Sequence, residues 1–220
     1  MKKHKSEKAY RRSKNIYDNV LLQEKPLSKM YSKIFWNGCD NREIAKRLLQ
    51  TIPNDFSGSL LDVPVGTALF TAEKYSRLQN ADIVCLDASE DMLTQADIKF
   101  AEKGIENVRC IKGDVGNLPF PNESFDIVLS MNGFHSFADK SSAFAETWRV
   151  LKKGGTFLGC FYVKGLCPST DILVKTILTP NGWFTPPFFN SSQLHAILKI
   201  QYSMVKMSHM GSIVYFRCKK

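Results

Sequence analysis

No apolar run in this 220-residue chain approaches the ~18–20 residues that a membrane span requires. The N-terminus is basic, but no apolar segment follows it, so it does not read as a secretory signal. There is no C-x-x-C pair. The six cysteines (Cys39, Cys85, Cys110, Cys160, Cys167 and Cys218) are scattered, and no metal site is expected. No Ser/His/Asp or Cys/His constellation for nucleophilic catalysis stands out. Glycine is scarce where it would matter: Gly66 is alone between Gly58 and Gly104, so the G-x-G-x-x-G cradle for a pyrophosphate is missing. No repeat, low-complexity segment or Gly/Ser/Pro-rich linker divides the chain. These absences, with a hydrophobic content of 44%, point to one domain with a sizeable core. Cys85, Cys110 and Cys160 fall inside expected buried strands and read as free thiols in a reducing cytoplasm.

The net charge of +9 is unevenly spread. Residues 1–14 hold seven Lys/Arg and one Glu, which accounts for six of those charges and leaves an ordinary three for the rest. Such an arm reads as a solvated tail, or as a contact for RNA or another acidic surface.

What the chain does contain is SLLDVPVGTALFTAEKYSRL, residues 59–78. An apolar run ends in Asp62, turns at Gly66-Thr67 and opens into a helical pattern, the strand–turn–helix that starts a nucleotide-binding α/β sheet. A second apolar run (ADIVCLD) ends in Asp87 and a third (NVRCIKGD) in Asp114. Asp87, about twenty residues past the glycine turn, suits both hydroxyls of a ribose.

Strands are expected near 59–63, 82–87, 107–112, 125–130 and 155–163, with helices near 67–78, 90–103 and 139–151. This alternation implies right-handed crossovers and a parallel sheet. Ser89 is placed to cap a helix whose first turn carries Glu90 and Asp91, and LKKGG (151–155) reads as a helix stop. Residues 15–51 carry apolar residues at near-helical spacings, broken by Pro26 and by NGCDN at 37–41. After 163 come a helix over 170–178, the aromatic loop TPNGWFTPPFF, a short helix in SSQLHAILK, and a terminal hairpin around His209-Met210-Gly211.

The segments LLDVPVGTALF, LDASEDMLTQA, GDVGNLPFPNESFDIVLSMNGFH and AETWRVLKKGGTFLGCF, in this order, resemble the class I S-adenosylmethionine-dependent methyltransferases of the type 11, ubiquinone/menaquinone-like group. The resemblance covers roughly 58–163. The group's first turn usually reads D-x-G-x-G-x-G, whereas Pro64 and Ala68 occupy the first and third glycine positions here.

The resemblance implies a Rossmann-like, doubly wound, seven-stranded α/β sheet, mostly parallel, with a C-terminal antiparallel strand and helices on both faces. It also implies a helical lid (15–51, with Tyr17, Tyr31 and Trp36), a cofactor-binding core (58–163), a substrate-side insertion (164–199) and a terminal hairpin (200–220). S-adenosylmethionine would be held by Asp62, Pro64, Gly66, Asp87, Ala88, Met92, Asp114, Val115 and Met131. Among these, Asp62 would serve the methionine ammonium, Asp114 the adenine amine, and Met92 the adenine face.

SMNGFHSF (130–137) should line the wall where methyl donor meets acceptor. It has neither the N/D-P-P-Y/F of nucleobase amino methylation nor a nucleophilic cysteine for cytosine C5, and TPPF at 185–188 reads as a chance match. His135 is the one readily titrating side chain in that segment, either a base for the acceptor or a structural histidine. The expected function is methyl transfer by in-line displacement to a small-molecule acceptor in the cytoplasm, without membrane insertion. The alternatives are an RNA or protein methyltransferase guided by the arm, and a non-catalytic S-adenosylmethionine-binding protein. The oligomeric state is left open.

Overall fold

The computed structural model describes residues 40–220. The basic arm, residues 15–39 of the expected lid, and Tyr17, Tyr31 and Trp36 lie outside the described residues. The described part of the lid forms α1 (Asn41–Leu49), whose N-terminus is capped by the Asp40 carboxylate accepting from the amides of Arg42 and Glu43. Its apolar face, Ile44, Ala45, Leu48 and Leu49, is buried in the core with Ile52, Leu60 and Ile213.

Seven strands follow: β1 (Ser59–Asp62), β2 (Asp82–Asp87), β3 (Val108–Lys112), β4 (Phe125–Met131), β5 (Leu151–Tyr162), β6 (Met204–Met210) and β7 (Ile213–Lys219). They lie in the order β3-β2-β1-β4-β5-β7-β6. β1 to β5 pair in parallel, while β7 runs antiparallel between β5 and β6. The connecting helices are α2 (Ala72–Tyr75), α3 (Glu90–Glu102) and α4 (Lys140–Val150). Beyond β5 come α5 (Pro168–Leu173), continued by a wider turn over Val174–Leu178, and α6 (Ser191–Gln201). The fold class is the Rossmann-like one expected.

The central strands are covered on both faces, and successive residues therefore enter opposite cores. Leu60, Ile83, Cys85, Ile127 and Leu129 join one cluster with Tyr75 and Phe100. Leu61, Val84, Leu86 and Val128 join the other, with Phe134, Phe144, Phe157 and Phe161. Each buried branched side chain contributes roughly 1.5–3 kcal/mol, so the stem of the sheet is its most secure part.

Two expectations are corrected. The helix over 67–78 shrinks to the four residues of α2, because Ala68 has φ +53 and the chain turns there before a helix can start. The LKKGG stop is also displaced: α4 ends at Val150, and Leu151 already belongs to β5, fully buried opposite Phe125. Burial of Leu151 outweighs the favourable placement of lysines at a helix C-terminus, which is worth only ~0.3–1 kcal/mol.

Candidate active site

The first parallel strands end at one rim. Because β1 lies between β2 and β4, chain connections leave in opposite directions on its two sides, and a crevice opens there. It holds a cavity of about 330 Å³. All nine expected cofactor residues line it: Asp62, Pro64, Gly66, Asp87, Ala88, Met92, Asp114, Val115 and Met131.

The turn after β1 is built around Gly66, at φ +57, and a Cβ there would have nothing within 4 Å. A ligand can therefore approach the bare backbone at this point. The turn is held from below by Asp87. One carboxylate oxygen accepts from the Gly66 amide at 2.9 Å and the other from the Ser89 amide at 2.9 Å. Ser89 in turn caps α3 through the Met92 amide. Burial lifts Asp87 to about 6, opposed by the amides of Ser89, Gly66 and Ala88.

Asp62 is deeper, 1% exposed, and accepts from the Tyr75 hydroxyl at 2.8 Å. Burial lifts it to about 7; the Tyr75 bond opposes this and the neighbouring Asp87 charge adds to it. Asp114 accepts from the Gly116 amide at 3.1 Å, which rounds the loop past β3 and presents Val115. Met92 is buried on the first turn of α3.

The wall after β4 was legible as a segment but not residue by residue. Asn132, Ser136, Phe137 and Ala138 line the cavity, as do Asp139 and Ser142 at the start of α4. Leu69, Phe70 and Thr71 also line it; Leu69 and Phe70 close the segment LLDVPVGTALF, but neither was expected to bind. Gly133 allows the wall to close on the turn after β1, since a Cβ there would collide with Pro64 and with Phe137. The Val63–Pro64 peptide is cis.

His135 is placed apart from these residues. It does not line the cavity, its ring stacks on Phe184 with centroids 4.0 Å apart, and its Nδ1 accepts from the Tyr162 amide at 3.4 Å. Burial, aided by the Lys140 charge, drops its pKa to about 3, so the imidazole is neutral. Thr185–Phe188 also stays off the cavity, with Phe188 packed edge-on against Tyr162. None of the described lid residues, 40–51, reaches the cavity. Among the described residues no group of three His, Cys, Asp or Glu is placed to hold a metal ion.

The donor set fits S-adenosylmethionine. Two buried carboxylates converge on one cavity, and each carboxylate offers about four acceptor sites, more than the bonds above use. The open space over Gly66 and the absence of a pyrophosphate cradle suit a cofactor with cationic and hydroxyl groups and no phosphate.

This fold with this rim of acids defines a class I S-adenosylmethionine-dependent methyltransferase, and the chain belongs to that family. Residues 61–159 match the family described as "Methyltransferase domain". The chain is 34% identical over 179 residues to the methyltransferase YcgJ of Bacillus subtilis, covering 79% of this chain and 67% of that protein. The crystal structure of YcgJ superposes with a TM-score of 0.62 at 25% identity, over 76% of this chain and 70% of that one. A demethylmenaquinone methyltransferase of Deinococcus radiodurans is 41% identical over 96 residues, 44% of this chain, and the chain spans only 39% of its length. In fold the chain also resembles a phosphoethanolamine N-methyltransferase of Haemonchus contortus in complex with S-adenosylmethionine, with a TM-score of 0.68 at 17% identity, over 92% of this chain and 60% of that one.

Proposed function

We propose that the protein methylates a small-molecule acceptor, and that the nine residues around the cavity hold its cofactor. The observation that carries the acceptor class is the wall between β4 and α4. Met131 and Phe137, with Leu69 and Phe70, give the cavity an apolar part of its lining, and the only titrating side chain that the wall adds to it is Asp139, which caps α4 through the Ser142 amide. The demethylmenaquinone methyltransferase name of one relative is in keeping with such an acceptor.

When bound, S-adenosylmethionine supplies a methyl group already activated on a sulfonium. The protein is then left to align the reactants and exclude water. Asp87, fixed by the Gly66 and Ser89 amides, accepts from the ribose hydroxyls. Asp62 offers its carboxylate to the ammonium end, Asp114 accepts at the adenine edge, and Met92 covers the ring. The buried, stacked His135 serves the architecture of the wall and does not act as a base. A cytoplasmic location belongs to the same proposal and is supported by the five described cysteines, all free thiols. Among the described residues no helix is long and apolar enough to cross a membrane.

Calorimetric titration with S-adenosylmethionine and S-adenosylhomocysteine, followed by labelled-methyl transfer to a panel of phenols, hydroquinones, amines and thiols, tests the proposal. Binding with transfer to at least one panel member is expected. Transfer to RNA or protein alone would overturn the acceptor class.

A further inference from the structure

Lys140 opens α4 yet is only 5% exposed. A buried ammonium is rare unless its donors are matched. Its Nζ donates to the Phe137 carbonyl at 3.0 Å and to the Thr185 carbonyl at 2.6 Å, and it lies 5.7 Å from the centre of the Phe188 ring.

The Thr185 amide donates in the opposite sense, to the His135 carbonyl at 2.9 Å. The Thr185 residue is therefore gripped at both its N–H and its C=O by the segment 135–140. The same segment supplies Ser136, Phe137, Ala138 and Asp139 to the cavity. The His135 ring stacked on Phe184 adds a second fastening between the two loops.

We propose that Lys140 is a positioning residue for methyl-donor binding: through the Phe137 and Thr185 carbonyls its buried side chain ties the loop 179–190 to the Ser136–Asp139 wall and fixes the width of the cavity. This rests on the cavity being the S-adenosylmethionine site. Lys140 does not line the cavity, so it acts through the wall and not on the cofactor. Without its donors two carbonyls lose their partner in a water-poor place, and the wall is released from the loop behind it. The coupling is reciprocal, so a ligand that orders the wall must also order Thr185.

The test uses the full chain with S-adenosylhomocysteine as the probe, read by calorimetry and amide hydrogen exchange. In the wild type, ligand should slow exchange at the Thr185 amide, although Thr185 lies outside the cavity lining. Lys140→Met keeps the aliphatic stem without the donors and should bind about five- to twentyfold more weakly, with faster exchange at the Ser136 and Thr185 amides. Lys140→Arg should recover most of the affinity. A lysine with only a structural role would lower the melting temperature of Lys140→Met and leave the affinity of its folded fraction at the wild-type value, which would overturn the proposal. If Lys140→Met does not fold, the wild-type exchange experiment decides by itself, and unchanged Thr185 exchange on ligand binding overturns the proposal. Failure of the wild type to bind the probe at all would instead strike the reading of the cavity.

Discussion

The Asp87 carboxylate accepts a hydrogen bond from the Gly66 amide at 2.9 Å, joining the end of β2 to the turn that follows β1. The acid expected to hold the ribose thus also holds the glycine turn beneath it. Its two tasks are separable by experiment.

Asp87→Ala removes charge-assisted bonds to the cofactor and leaves the Gly66 and Ser89 amides without their acceptor. We expect S-adenosylmethionine affinity to fall by about one to two decades and stability to fall by about 1–3 kcal/mol. The first effect follows from the place of Asp87 in the sequence, the second only from the folded turn. Calorimetry and denaturant unfolding on the same variant measure both, and unchanged affinity would mean that the ribose is held elsewhere.

The raised carboxyls give a pH signature of known sign. Asp87 at about 6 and Asp62 at about 7 hold their protons more tightly folded than unfolded. The proton-linked part of the ligand-free protein's stability is therefore full below the ordinary carboxylate range and is lost as pH rises to about 7. Cofactor binding runs the other way, because a sulfonium and an ammonium favour ionised carboxylates. Affinity should weaken by up to about tenfold per pH unit between pH 7 and 6, where Asp62 takes up its proton, and by up to about a hundredfold per unit below pH 6, where both acids do, and Asp87→Asn should remove the second step. A flat titration series between pH 5 and 8 in the wild type would show that neither acid faces the cofactor.

Ala68 stands at φ +53 where the family usually has glycine. A left-handed alanine costs about 1–2 kcal/mol, so Ala68→Gly should stabilise the protein by roughly 0.5–1 kcal/mol after the extra backbone entropy of glycine is deducted. The reverse change at Gly66, φ +57, adds strain and pushes a methyl into the cavity. Gly66→Ala should therefore lose cofactor affinity as well as stability. Paired urea melts and binding titrations would expose a wrong sign in either.

His135, neutral with a pKa of about 3, should contribute no limb to a pH–rate profile near 6.5. His135→Phe keeps a ring against Phe184 and deprives the Tyr162 amide of its acceptor. A loss of about 1–3 kcal/mol in stability is expected, with turnover on the acceptor found by the panel held within about tenfold. A fall of three decades in turnover of the folded variant would restore the imidazole as a base.

Much of this molecule was written locally. The apolar runs ending in Asp62 and Asp87 and the run before Asp114, the helix start at Ser89 and the glycine at the first turn depend on neighbours a few residues away, where period and turn chemistry act. Strand alternation with helices then leaves few topologies, which is why the parallel order and the rim of acids could be anticipated. Tertiary structure decided what depends on partners far along the chain. Leu151 became strand because Phe125 lies across from it, Phe70 and Ser142, seventy-two positions apart, met at one cavity, and His135 was taken from solvent by Phe184, forty-nine positions on. Periodicity carries no trace of such contacts, since burial and pKa are set by what the folded chain packs against a residue and not by the residue itself.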